Sequence, residues 1–166
     1  PAANPNVDGG NGLGNGNDYW RINVTSALPQ ITGANGASTT IDGTAFGFTY
    51  GATGIAVRDD NAGLLGTGGF VGVDNLVLGQ VARPELEIVD GAAIAIGFNV
   101  NAATATIRDL AIYGFGTAGD WLTGNIFVGN VNSALIEGNV VGTTAASFAD
   151  LGAGVRSPEI NLNVQN

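Results

Sequence analysis

Short apolar runs alternate with Gly, Asn, Asp and Thr along nearly the whole chain, and this punctuation predicts β structure. Strand-like segments read at 21–24, 39–41, 54–57, 70–73 and 76–78 in the first half. They continue at 85–89, 93–96, 106–112, 126–128, 135–141 and 159–164. Helix is not expected, because Gly, Asn or Thr interrupts every window before a stripe of period 3.6 can build up. Only 118–122 and 144–151 could form single helical turns, and a loop fits either as well.

Two of these segments spell nearly the same thing. Thr106-Ile107-Arg108-Asp109-Leu110-Ala111-Ile112-Tyr113-Gly114 is echoed by Leu135-Ile136-Glu137-Gly138-Asn139-Val140-Val141-Gly142-Thr143, with Ile107/Ile136 and Ile112/Val141 both 29 positions apart. A period of that size belongs to solenoid coils. Asn99-Val100-Asn101 likewise recurs as Asn130-Val131-Asn132, and Ile94-Ala95-Ile96-Gly97 is matched with Ile126-Phe127-Val128-Gly129. A β-sandwich would also give many short strands, but joined by tight hairpins rather than recurring at a coil period. The repeat favours an all-β parallel solenoid, although Asn35-Gly36 could still be a hairpin turn. The expected organisation is a Gly/Asn-rich extended arm over residues 1–18 and a parallel β-helix over 19–166. Rung spacing would give about six coils and some 30 Å of length.

Composition restricts the partners. The 166 residues include 28 Gly yet are 45% apolar, so a turn-rich folded domain is expected rather than a disordered one. There is no Cys, Met, His or Lys; the cations are Arg21, Arg58, Arg83, Arg108 and Arg156, against 14 carboxylates and a net charge of −9. That sign disfavours nucleic acid and anionic membrane surfaces. Thiol catalysis, disulfides and thiolate metal sites are excluded with cysteine. No apolar run is long enough for a membrane span, and no signal-like region opens the chain. A chain beginning at Pro1 leads us to expect a processed secreted protein or an excised domain.

The ordered set Ser26–Thr32, Thr40–Thr44, Pro84–Ile88, Thr106–Gly116 and Ile136–Thr143 resembles right-handed parallel β-helix modules of large secreted bacterial surface proteins. The resemblance covers roughly residues 20–145. It implies a pectate-lyase-like coil, an extracellular or cell-surface location and an adhesive or structural role. It implies no catalytic residue, because the motifs occupy coil-forming positions.

Chemical constellations are sparse. Gly114-Phe115-Gly116-Thr117-Ala118-Gly119 fits a dinucleotide fingerprint, but Gly124-Asn125 follows too soon for the required helix, so a coil corner is expected. A polysaccharide lyase or glycosidase, or a glycan-binding version of the scaffold, is the alternative. Its base would have to be an arginine, best placed at Arg108 beside Asp109, with Trp121 as a sugar-stacking side chain. Asp59-Asp60 is read as a solvated turn. In the arm, Asn4, Asn6, Asp8 and Gly9 follow the spacing of a Ca²⁺ loop, with Asp18 adding oxygen, but no Glu closes the loop and a linker explains the run as well. No other cofactor is expected.

A solenoid exposes unpaired backbone at its ends unless capped or joined. No capping helix is legible, and the last residues alternate as a strand. The expected partners are therefore further copies of the chain, associating through Tyr19 and Trp20 at one end and Ile160, Leu162 and Val164 at the other, in a fibre or lattice. Surface glycans are the other expected partner. The reading as a whole is a non-catalytic extracellular structural or adhesive β-solenoid.

Overall fold

The computed structural model describes residues 6–7, 19–32, 38–44, 49–50, 55–56, 61, 63–101, 104–129, 133–147 and 160–162. All regular structure among them is β; there is no helix, and 118–122 and 144–147 are turns and bends. The strands of the parallel framework are β2 (Tyr19–Val24), β3 (Thr39–Asp42), β10 (Leu86–Asp90), β11 (Ile96–Val100), β12 (Ala105–Arg108), β13 (Ala111–Tyr113), β14 (Gly124–Val128), β15 (Ala134–Glu137), β16 (Val140–Val141) and β17 (Ile160–Leu162). The short strands β1 (Asn6–Val7), β4 (Thr49–Tyr50), β5 (Ile55–Ala56), β6 (Leu64–Leu65), β7 (Phe70–Val71), β8 (Leu76–Val77) and β9 (Val81–Ala82) make only antiparallel pairs.

Three sheets are built from the parallel strands. Sheet A has the order β1-β2-β10-β13-β16, sheet B β11-β14-β17 and sheet C β15-β12-β3. From β10 to β17 the chain enters A, B, C, A, B, C, A and B in turn, so from β13 on each strand lies beside the one three strands earlier. Ile107 pairs with Ile136 in sheet C and Ile112 with Val141 in sheet A, which is the 29-residue offset of the repeat. Earlier in the chain, β2 pairs with β10 in sheet A, Ile31 bridges Val100 of β11, and β3 pairs with β12 in sheet C.

Three expectations change in detail. The runs 106–112 and 135–141 are each two strands, not one, because Asp109 (φ 57°) and Gly138 (φ 63°) adopt the left-handed conformation and turn the chain from sheet C to sheet A. Strand β11 begins at Ile96 rather than Ala93, whose φ of 55° is incompatible with a strand, and its register sets Phe98 beside Ile126. Ile94–Gly97 is therefore not the counterpart of Ile126–Gly129. Finally, among the described residues sheet A stacks four parallel strands, where the rung count leads to an expectation of about six coils. Between β3 and β10 the described strands pair only antiparallel, β4 with β5, β6 with β9 and β7 with β8.

Side-chain alternation explains the core. Leu86 and Ile88, Phe98 and Val100, Ala105 and Ile107, Ile112, and Ile126 and Val128 all point into one apolar cluster fed by all three sheets, with Phe115 and Leu110 filling the corners. Gly97 is a close approach: a Cβ there would land on the carbonyl of Asn125 in the next strand and press on Phe115 and Ile112. The opposite face of sheet A carries a second cluster of Tyr19, Ala111 and Val140, covered by Leu65 and Ala145 from two connecting segments.

Candidate functional site

Four features could carry function. The first is the outer face of sheet C at its end, where register aligns Asp42, Arg108 and Glu137 across β3, β12 and β15. Arg108 donates from Nε and Nη2 to Asp42 Oδ2 at 2.8 and 2.5 Å, and Asp109 Oδ2 lies 3.8 Å from its Nε. Thr44 donates to Asp42 Oδ1 from its hydroxyl at 2.6 Å and its backbone N–H at 2.8 Å. The Thr44 hydroxyl, then Arg108, hold the Asp42 carboxyl down at about 2. The same hydrogen bond and charge hold Arg108 above its ordinary value, so this guanidinium is a locked cation. A base for proton abstraction needs the reverse shift.

The second feature is Glu87, wholly buried on the outer face of sheet A between Leu86 and Ile88. Its Oε1 accepts from Arg21 Nε and from the Tyr113 hydroxyl at 3.0 Å, and its Oε2 accepts the Ala145 N–H at 2.9 Å. Arg21 also donates to the Tyr19 hydroxyl at 3.3 Å and lies 5.8 Å from that ring's centroid. Burial would depress Arg21, but its hydrogen bond to Glu87 and that residue's charge outweigh it and raise the guanidinium. Burial, then the Glu87 charge, pushes up both Tyr113 and Tyr19. Every oxygen of Glu87 is occupied within the chain. It is a structural knot rather than a reactive acid.

The third feature is the loop between β13 and β14. Gly114, Gly116 and Gly119 all have positive φ there, and the Thr117 N–H is held by Thr123 Oγ1 at 2.8 Å. No helix follows Gly119, although a dinucleotide site would need one there. Trp121 stands on this loop with 72% of its surface exposed. Arg108 and Asp109 occupy the corner between sheets C and A, whereas Trp121 occupies the corner between sheets A and B. The three residues named as one glycan-contacting group are thus divided by the width of sheet A, roughly 10 Å for a strand of this length.

The fourth feature is an apolar ribbon over 64–82, which contains the strand-like runs 70–73 and 76–78. β6 pairs with β9 and β7 with β8, antiparallel, with Gly72–Asn75 as the turn. The near-mirror order Phe70-Val71, Gly72-Val73-Asp74-Asn75, Leu76-Val77 was the available signal for a hairpin.

The residues expected to self-associate are placed differently from one another. Tyr19 is buried in the second cluster and Trp20 packs against the main core, so both are committed within the chain. Ile160 and Leu162 lie on β17, which pairs in parallel with β14 of the same chain. Val164 lies outside the described residues, as do Asn4, Asp8, Asp18, Asp59 and Asp60; Asn6 belongs to β1. Among the described residues there is no group of three His, Cys, Asp or Glu side chains that could hold a metal, and no helix long and apolar enough to cross a membrane.

No family model matches the chain, and comparisons with curated proteins and with solved structures give no significant match.

Proposed function

We propose that this chain is a right-handed parallel β-helix of the type found in large secreted bacterial surface proteins, and that its role is structural or adhesive, without catalysis. Support for the coil comes from the fixed order in which parallel sheets are revisited around a shared apolar core. The right-handed winding follows from the general preference for right-handed crossovers between parallel strands. The engagement of Arg108 with Asp42 argues against its use as a lyase base.

One observation carries the assembly reading. Ile22 and Ile88 are paired neighbours facing the same side of sheet A, yet Ile88 is buried while Ile22 keeps 46% of its surface exposed. The interior row thus reaches the first rung uncovered. Stacking another copy's last rung, β15, β16 and β17, on that end, beside the part of β2 beyond the two residues that β1 pairs, would continue the sheets and cover the row. The N-terminal arm, with Asn4, Asn6, Asp8 and Asp18 as oxygen donors for Ca²⁺, would modulate this junction.

The test is light scattering with negative-stain imaging, with Ca²⁺ and with chelator, on the full chain and on a truncation ending at Pro158 that removes β17. Uniform filaments lost on truncation are expected; a full chain that remains short in both conditions overturns the assembly reading. The exposed Trp121 supports a second reading, glycan contact by ring stacking. Its signature is a fluorescence change on adding oligosaccharide that Trp121→Ala removes.

A further inference from the structure

We propose that the ribbon over residues 64–82 is an interface that joins two copies of this chain, arm against arm, about a two-fold axis. This goes beyond the end-to-end reading and does not depend on it, because the ribbon lies outside the three parallel sheets.

The ribbon is rooted but not covered. At its base Leu65 is buried in the second cluster, the Arg83 N–H donates to the Gly63 carbonyl, and Gln80 Nε2 donates to the Gly66 carbonyl at 3.0 Å. Beyond that root the chain exposes large apolar side chains, reaching 70% at Phe70 and 97% at Val73. Register sets Phe70 opposite Val77 and Val71 opposite Leu76, so both faces of the ribbon are apolar. A two-stranded ribbon whose side chains beyond the root stay this exposed is marginal in water, and the usual remedy is another layer of structure.

Charge points to a second copy as that layer, and the area of one face sets the strength of the contact. The apolar residues from Leu64 to Val81 together expose on the order of 800 Å² over both faces and the turn, so the face carrying Phe70 and Val77 offers at most about half of that, the size of a weak, reversible contact. With a net charge of −9, two copies repel over most of their surfaces. Residues 64–82 include a single charge, Asp74 in the turn, so the ribbon is where two copies approach at least electrostatic cost. Two-fold pairing uses the same patch on both chains and needs no other partner. Placing the arms antiparallel keeps the two Asp74 carboxylates apart and sets Phe70 and Val77 of each arm into the shared seam.

Sedimentation and light scattering of the full chain provide the test, with Val73→Asp and with the pair Phe70→Ser and Val77→Thr. Val73 touches so little of its own chain that its replacement leaves folding intact, which far-UV circular dichroism and the melting midpoint would verify. The expected result is a particle of twice the chain mass that both variants reduce twofold. Where filaments form, Val73→Asp is expected to halve mass per unit length, while truncation at Pro158 abolishes filaments and leaves pairs. A wild-type chain that stays single, or variants that keep the paired mass or the mass per length, overturn the proposal, whatever else binds the arm.

Discussion

Replacing Arg21 with alanine strands a carboxylate in the outer cluster of sheet A, and the cost can be worked from its surroundings. Glu87 has no exposed surface and accepts from three donors, of which Arg21 alone is charged. Removing one member of a buried ion pair costs about 3–5 kcal/mol, because the other is left charged without compensation. The Arg21 side chain remains about a third exposed, so water can take part of its place. We therefore expect about 2–3 kcal/mol, at or below the lower end of that range. Against a total stability of roughly 5–15 kcal/mol for a domain, that is a large fraction.

Glu87→Gln is expected to cost about 2 kcal/mol for a different reason: the amide keeps the shape but must turn a donor toward Arg21 or the Ala145 N–H. Since each single change destroys the same contact, the double variant should cost less than the sum of the two by at least ~1 kcal/mol. Urea unfolding followed by tryptophan fluorescence and far-UV circular dichroism measures all three at low and high salt. A buried pair is weakly screened, so the cost of Arg21→Ala should hardly change with salt. A loss below about 0.5 kcal/mol, or strict additivity, would refute the view that this ion pair locks the covering segments onto sheet A.

Three further outcomes follow from the same geometry. Tyr19 and Tyr113 keep their protons above the pH at which an unfolded tyrosine releases its own, so the stability they confer is intact below about pH 10 and is lost as pH rises beyond it. Absorbance of tyrosinate should lag in the folded chain, and Glu87→Gln should bring it forward. The depressed Asp42 carboxyl, at about 2, works in the opposite sense: its contribution is present above the ordinary value of 3.8 and is lost as pH falls through 2. Thr44→Val should move that carboxyl upward in a carbon-detected NMR titration, and an unmoved value would discount the Thr44 hydrogen bond. Gly97→Ala forces backbone apart between β11 and β14 and is expected to cost at least ~2 kcal/mol by chemical denaturation, whereas the same change at the open Gly79 should be nearly silent.

How far the sequence foretells this molecule depends on whether a feature is periodic or contingent. Ile107/Ile136 and Ile112/Val141 are legible because one side-chain environment, an interior row of a parallel sheet, is imposed again one circuit later. The corner inside that repeat is less legible. Gly138 announces a left-handed residue, but Asp109 occupies the equivalent place with no glycine to mark it, and the strand reading ran through both. The false pairing of Ile94–Gly97 with Ile126–Gly129 arose the same way: apolar alternation has a period of two, so a shift of four residues preserves the pattern while moving the register. Glu87 was invisible as a buried group because its partners come from β2, β13 and the segment after β16, far apart in sequence. The ribbon was misassigned for a simpler reason. Its strands have the composition of the parallel strands, and only the turn residues Gly72, Asp74 and Asn75 distinguish an antiparallel hairpin from them. A hairpin between two parallel strands interrupts the spacing at which those strands recur, so a surface of this kind is easiest to miss where the repeat itself breaks off.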